Sequence, residues 1–231
     1  MTVSVVGLDA DDTLWHSESY FVVTEERFRA LLAPWVAAED ANGRLLERER
    51  ANLRIFGYGA KGFTLSMIET ALEVSDGALP TSAVQQLIDW GKELLSHPVE
   101  LLDGVRETLD TLRGDYRLAL ITKGDLFHQE SKVAESGLAD YFERVEIVSE
   151  KSPATYRRVL CELGVAPGEF VMVGNSLRSD ILPAVEIGAD AVYIPYGFTW
   201  GHENVETTDH QVTWQQITTL SELPAVLRRW R

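Results

Sequence analysis

The sequence predicts an α/β fold: a parallel sheet with helices on both faces and an all-helical subdomain inserted after the first strand. Three observations carry this. Short apolar runs rich in β-branched residues alternate with helical patterns from about residue 103 onward, as in βαβ units. Each of the clearest runs stops at a polar loop. Residues 18–96 contain no good strand, yet apolar residues recur there at helical spacing. A chain of 231 residues can bury roughly 70% of its unfolded surface, enough for one domain with a sizeable insertion.

The elements follow in order. Val3 to Leu8 reads as a buried strand ending in Asp9-Ala10-Asp11-Asp12. In the insertion, Phe21, Phe28, Leu31, Leu32 and Trp35 share one helical stripe, Phe63, Met67, Ala71 and Val74 a second, and Val84, Leu87, Ile88 and Leu95 a third. Thr81 is expected to cap the last of these helices. A segment this long is too long for a crossover loop. The expected division is therefore 1–15 with 99–231 as core and 16–98 as the helical insertion. Further strands are expected at Tyr116–Ile121, Val145–Val148, Phe170–Val173 and Ala191–Ile194, with helices near 103–113, 127–136, 152–163 and 178–187. Gln211-Val212-Thr213-Trp214 reads as an edge strand before a helix from about Ser221.

Composition narrows the function. With 21 Lys and Arg against 36 Asp and Glu, the net charge is −15. That disfavours nucleic-acid and anionic-membrane partners, which need a basic patch. It leaves room for an anionic small substrate, because a metal ion and a lysine or two invert the field of one pocket. The one cysteine, Cys161, excludes an internal disulfide and a cysteine-rich zinc site. No apolar run approaches 18 residues, and the first residues carry no basic, signal-like segment, so a cytoplasmic location is expected.

Four polar sites stand at or just past predicted strand ends, the edge where open parallel sheets bind ligands. In Asp9-Ala10-Asp11-Asp12-Thr13, residues two apart in an extended segment face the same way, so Asp9 and Asp11 can serve one site. Paired carboxylates suit Mg2+, and also a nucleophile with a general acid/base. Thr122 ends the second strand. The backbone N–H groups of Lys123 and Gly124 follow at a helix start, where phosphate oxygens bind. Lys151, in Glu150-Lys151-Ser152-Pro153, stands at another helix entry, where it can neutralise both a nucleophile and a phosphoryl group. Gly174-Asn175-Ser176-Leu177-Arg178-Ser179-Asp180 sets two oxygen-bearing side chains, Asn175 and Asp180, beside a glycine turn.

These motifs, in this order across about residues 3 to 195, resemble the haloacid dehalogenase superfamily of phosphohydrolases, in the branch with a helical cap between the first and second motifs. The resemblance implies a Rossmann-like core and a Mg2+-dependent phosphatase that hydrolyses a small phosphorylated metabolite. By the same resemblance, Asp9 is the nucleophile that forms an aspartyl-phosphate. Asp11 protonates the leaving oxygen and then activates water. Thr122 and Lys151 hold phosphoryl oxygens, and Mg2+ takes an Asp9 oxygen, the Asp11 carbonyl and either Asn175 or Asp180. Asn175 is the favoured ligand, with Asp180 holding Lys151. Two positions depart from the pattern. Asp12 stands where Gly is common, and its carboxylate is expected to turn away from the metal towards the loop. Asn175 stands where Asp is common, which implies weaker metal binding.

Other signals carry less. Gly57-Tyr58-Gly59-Ala60-Lys61-Gly62 matches a dinucleotide-binding pattern but follows a helical stretch, so it reads as a turn between helices, with Lys61 or Tyr58 as candidates for selecting substrate. Lys123 is a candidate contact to the substrate beyond its phosphate. Ser176 lacks the second glycine of a nucleophile elbow. His16, close after the first motif, can approach the site. His97, His128, His202 and His210 show no metal spacing, and Trp200 reads as a loop aromatic packing on the fold. A dehalogenase would need neither Asp11 nor the metal set. A phosphomutase with the same core motifs and a non-catalytic phosphate-binding module are the alternatives.

Overall fold

In a computed structural model describing residues 2–198, 200, 201, 203 and 214–230, the first apolar run forms β1 (Val5–Leu8) at the middle of a six-stranded sheet. β2 (Arg117–Lys123), β3 (Arg144–Val148), β4 (Phe170–Gly174), β5 (Asp190–Tyr193) and β6 (Trp214–Gln216) complete it in the order β3-β2-β1-β4-β5-β6. Every pairing is parallel. This is the Rossmann-like order, with its switch point at β1, between β2 and β4. Gln211 to Thr213 of the expected edge strand lie outside the described residues; Trp214 opens β6.

Alternation along the strands divides the core. Val6, Leu8, Leu118, Leu120, Val171, Val173 and Val192 face one layer, packed with Val105, Leu109 and Leu112 of α5 (Val105–Leu112) and Leu223 and Leu227 of α9 (Leu223–Leu227). Val5, Ala119, Ile121, Phe170 and Met172 face the other, against Tyr156, Val159, Leu160 and Leu163 of α7 (Pro153–Leu163). Burial on both faces is what near-continuous apolar strands predict. Gly7 of β1 meets the Phe170 ring so closely that an added Cβ would run into it.

Residues 17–98 make a separate compact unit, the other being residues 1–16 with 99–231. It holds α1 (Glu18–Leu32), α2 (Ala38–Phe56), α3 (Ala60–Val74) and α4 (Thr81–Leu95). Its own core gathers Phe28, Leu32, Leu45, Phe63, Met67, Ala71 and Leu87, and the Phe21 ring meets Phe63 edge-on at 5.2 Å. The turn Gly57-Tyr58-Gly59 joins α2 to α3. Both glycines take positive φ, 72° and 101°, which a side chain resists.

Local expectations needed four corrections. Pro80 occupies the cap position of α4 and Thr81 is already helical, because proline fixes the extended entry and no side chain caps. Trp35 lies past the end of α1 and is exposed. The C-terminal helix starts at Leu223, after a 3-10 turn over Leu220–Glu222. The helix expected at 178–187 opens as a π-helical turn over Leu177–Ile181 before α8 (Leu182–Glu186). Pro183 has no N–H for the Ser179 carbonyl four residues back. That carbonyl accepts the Tyr156 hydroxyl instead, at 3.0 Å.

Gly7→Ala should destabilise the protein by about 1–3 kcal/mol, since the Phe170 ring that the new Cβ meets is wholly buried in the core. Urea unfolding midpoints of the two proteins, at unchanged slope, measure this.

Candidate active site

The register of the sheet builds the site. Leu8 pairs with Leu120 and Val173, so Asp9 stands level with Ile121 and Gly174, and its N–H donates to the Val173 carbonyl at 2.9 Å. Thr122 and Asn175 come one residue further along each neighbour. Beyond Asp9 the chain turns tightly. The N–H of Leu14 donates to the Ala10 carbonyl at 2.8 Å and that of Asp12 to the Trp15 carbonyl at 2.7 Å. Asp12 takes φ +62°, which explains why glycine suits this position, and short polar residues tolerate it best among the rest.

Asp9 is buried and its two oxygens have different neighbours. Oδ1 accepts from Lys151 Nζ, in a very short contact. Oδ2 accepts from the Thr13 hydroxyl at 3.3 Å. Lys151 is delivered by the loop between β3 and α7, immediately before the cap residue Ser152, whose hydroxyl accepts the Thr155 N–H, and Pro153 opens the helix. Lys151 also donates to Asp180 Oδ1 at 2.7 Å, and Asp180 Oδ2 accepts the Ser176 N–H at 2.9 Å. Gly174 makes this possible, because a Cβ there would collide with the Asp180 carboxyl. Burial, reinforced by the Asp180 carboxylate, pushes the Asp9 carboxyl up to about 7 against the pull of Lys151. Burial also works against the Lys151 charge, but the Asp180 and Asp9 carboxylates outweigh it and hold its pKa above the ordinary lysine range.

Asp11 takes part differently. Its oxygens accept from Trp15 Nε1 at 2.7 Å, Gln129 Nε2 at 3.0 Å and Lys132 Nζ at 2.6 and 2.8 Å. Burial raises its pKa, but the Lys132 charge and these hydrogen bonds more than offset that and leave it below the ordinary value. Gln129 and Lys132 come from α6 (Leu126–Ser136), capped by Asp125, which accepts the His128 N–H at 3.0 Å. Thr122 is buried, and its oxygen accepts from Gln129 at 3.0 Å, leaving the hydroxyl hydrogen for another acceptor.

Two expected substrate contacts are differently engaged. The Gly124 N–H donates to the Val148 carbonyl at 3.3 Å, because the sheet ladder with β3 runs on past Lys123. Lys123 Nζ donates to Ser179 Oγ at 2.7 Å and pairs with Glu203 at 2.5 Å. Glu203 also accepts from Ser176 and Ser179, at 2.7 Å from the latter. Burial works against its charge, but Lys123 and these donors hold it down to about 2. Lys61 is an exposed residue of α3 in the helical unit. His16 Nδ1 lies 2.6 Å from the Tyr196 hydroxyl. His202 and His210 lie outside the described residues.

Among the described residues no group of three or more His, Cys, Asp and Glu is arranged to hold a metal. The donor set for a cation is of another kind. One end of the Asn175 amide stands 3.1 Å from Asp9 Oδ2 and 3.2 Å from the Asp11 carbonyl oxygen. With its nitrogen there, Asn175 bridges both acceptors. With its oxygen there, three oxygens converge at roughly the 3 Å spacing of neighbouring ligands around an octahedral Mg2+ with 2.0–2.1 Å bonds. The residues therefore fit the ion, with waters completing the shell. Asp180 stands apart from this set, both oxygens committed to Lys151 and the Ser176 N–H.

Residues 3–188 match the model of the haloacid dehalogenase-like hydrolase family, and the chain belongs to that family. A haloacid dehalogenase-like family hydrolase from Xanthomonas campestris is 44% identical, with a TM-score of 0.89 over 99% of this chain and 92% of that one. A phosphoserine phosphatase from Thermus thermophilus is 36% identical over 193 residues, 78% of this chain and 77% of the relative. The N-acylneuraminate-9-phosphatase of Mus musculus is 30% identical over 146 residues. That match takes in 60% of this chain and 56% of the mouse protein, so the chain spans little more than half the length of that relative.

Glu203 predicts a pH effect on stability. Its folded pKa lies below the ordinary 4.5, so the unfolded chain protonates first as pH falls. Its contribution is complete above about pH 4.5 and is lost on the way down to about 2. Glu203→Gln should therefore lower stability at neutral pH, by about 2 kcal/mol, and flatten the acid limb of a melting-temperature profile.

Proposed function

We propose that this protein is a Mg2+-dependent phosphatase that hydrolyses a small phosphorylated metabolite through an aspartyl-phosphate on Asp9. The observation that carries this reading is the meeting of Asp9 Oδ2, the Asp11 carbonyl and the Asn175 amide beside a nucleophile paired with a buried lysine. Bound there, Mg2+ would supply charge neutralisation for a phosphoryl group next to Asp9.

The chain's own residues then divide the work. An Asp9 carboxylate oxygen forms the new bond to phosphorus as the ester oxygen leaves, taking a proton that Asp11, itself ionised at rest, relays from solvent or from the incoming phosphate ester. Lys151 uses two N–H groups on Asp9 and Asp180, which leaves a third for a phosphoryl oxygen. The Thr122 hydroxyl donates to another. Water then attacks the same phosphorus and gives its proton to Asp11. The P–O bond to Asp9 breaks, the electron pair returns to its carboxylate, and inorganic phosphate leaves. Two relatives named for phosphoserine and N-acylneuraminate 9-phosphate support a small phosphorylated substrate. Lys61 and Tyr58 remain the proposed candidates for selecting the substrate. The single cysteine and the acidic charge fit a cytoplasmic enzyme. Among the described residues no helix is long and apolar enough to cross a membrane.

Hydrolysis of a generic aryl phosphate should require Mg2+ and fall at least about 1,000-fold in Asp9→Asn. Turnover that persists without divalent metal, or in Asp9→Asn, overturns the reading. Asn175→Asp should bind Mg2+ about tenfold more tightly in a calorimetric titration, because it adds a ligand charge.

A further inference from the structure

The acid/base carboxylate is held from an unexpected direction. Gln129 and Lys132 lie three residues apart on α6, on one face of the helix, and both reach Asp11. The Lys132 ammonium contacts both carboxylate oxygens, at 2.6 and 2.8 Å, and its side chain is only 13% exposed. Trp15 Nε1 fixes Oδ1 from the other side at 2.7 Å.

These contacts are unequal. A carboxylate offers about four acceptor directions, and four contacts fill them here. Gln129 Nε2 has two hydrogens but three acceptors: Asp11 Oδ2, the Thr122 hydroxyl and the Lys123 carbonyl, at 3.0, 3.0 and 2.9 Å. Gln129 Oε1 is buried with no hydrogen-bond partner among the described residues. The Gln129 bond is therefore the one that yields. Lys132 and Trp15 stay, and Oδ2 becomes the oxygen open to a water.

We propose that Lys132 is a positioning residue for the second half of the reaction. From α6 it holds Asp11 so that Oδ2 takes the proton of the water that hydrolyses the aspartyl-phosphate. The proposal rests on the phosphatase reading above. In this step the water oxygen bonds to phosphorus, the water proton passes to Asp11, and the bond from phosphorus to Asp9 breaks with its electron pair returning to Asp9.

Rates on para-nitrophenyl phosphate with Mg2+ separate the two half-reactions. The aryl leaving group departs without an acid, so kcat/KM reports transfer to Asp9 and kcat reports hydrolysis of the intermediate. Lys132→Met should lower kcat about 100-fold while kcat/KM stays within about threefold, so that KM falls with kcat. Acid-quenched protein should then carry a phosphoryl adduct, by intact mass, that is absent from Asp9→Asn. Lys132→Arg should recover most of kcat. In an Asp11→Asn background, Lys132→Met should cost nothing further. Equal losses in kcat and kcat/KM, an unchanged kcat, no adduct, or a further loss in the Asp11→Asn background overturn the role of Lys132 and leave the phosphatase reading standing. A wild type that neither turns over nor takes up phosphate overturns both. Should Lys132→Met fail to fold, Lys132→Gln, which is polar but uncharged and shorter, is expected to show the same split, and its absence overturns the proposal.

Discussion

A buried ammonium between two buried carboxylates organises the strand ends. Lys151 is almost wholly enclosed and touches Asp9 and Asp180, themselves enclosed. Taking three charges out of water costs more than their attraction returns unless each remaining valence is met. Here the carboxylate valences are met by something specific, and the third Lys151 N–H is the one left over. Ser176 donates to Asp180, Thr13 to Asp9, and the missing side chain of Gly174 gives the Asp180 carboxyl its space. Removing the lysine alone would leave two buried carboxylates facing each other. The trio thus ties together the ends of β1 and β4 and the entry to α7.

The charges around this trio set what the strand ends attract. With Asp9 ionised, as it must be to attack phosphorus, Asp9, Asp11 and Asp180 oppose Lys132 and Lys151, which leaves one negative charge in excess. A dianionic phosphate ester would be repelled by that balance, and a divalent cation reverses it. The nearby Lys123 does not change the sum, because Glu203 neutralises it.

Much of this was legible in the sequence, for identifiable reasons. A strand buried on both faces is a run of apolar residues, and the polar residue that ends it marks the sheet edge. Asp9, Thr122 and Asn175 could be placed for that reason, and Lys151 by its position just before the helix entry at Ser152-Pro153. Asp11 followed from the two-residue period. Lys132 and Gln129 left no such mark. They sit mid-helix among polar neighbours, and only the docking of α6 on the sheet turns that face towards Asp11. A search for cations three residues from a buried glutamine would have been too permissive to single them out. Glu203 belongs to no periodic stretch of the sequence, so its reach to Lys123 was invisible. The same blindness explains Lys123 itself, which reads as a free cation until its partner is seen. The π-helical turn was missed for another reason: the helical pattern of the 178–187 stretch takes no account of the N–H that Pro183 lacks.

The strand order also bears on how the molecule is made. β1 pairs with β2 and β4, and the partners of its first residue, Val5, are Arg117 and Phe170. During synthesis the central strand emerges before its partners and waits, both edges bare, while more than a hundred residues follow it. The helical unit is complete well before the sheet can close around β1. An apolar, unpaired strand in that interval is a target for wrong pairing and for chaperones. The site at its tip cannot assemble until Lys151 and Asp180 have followed as well.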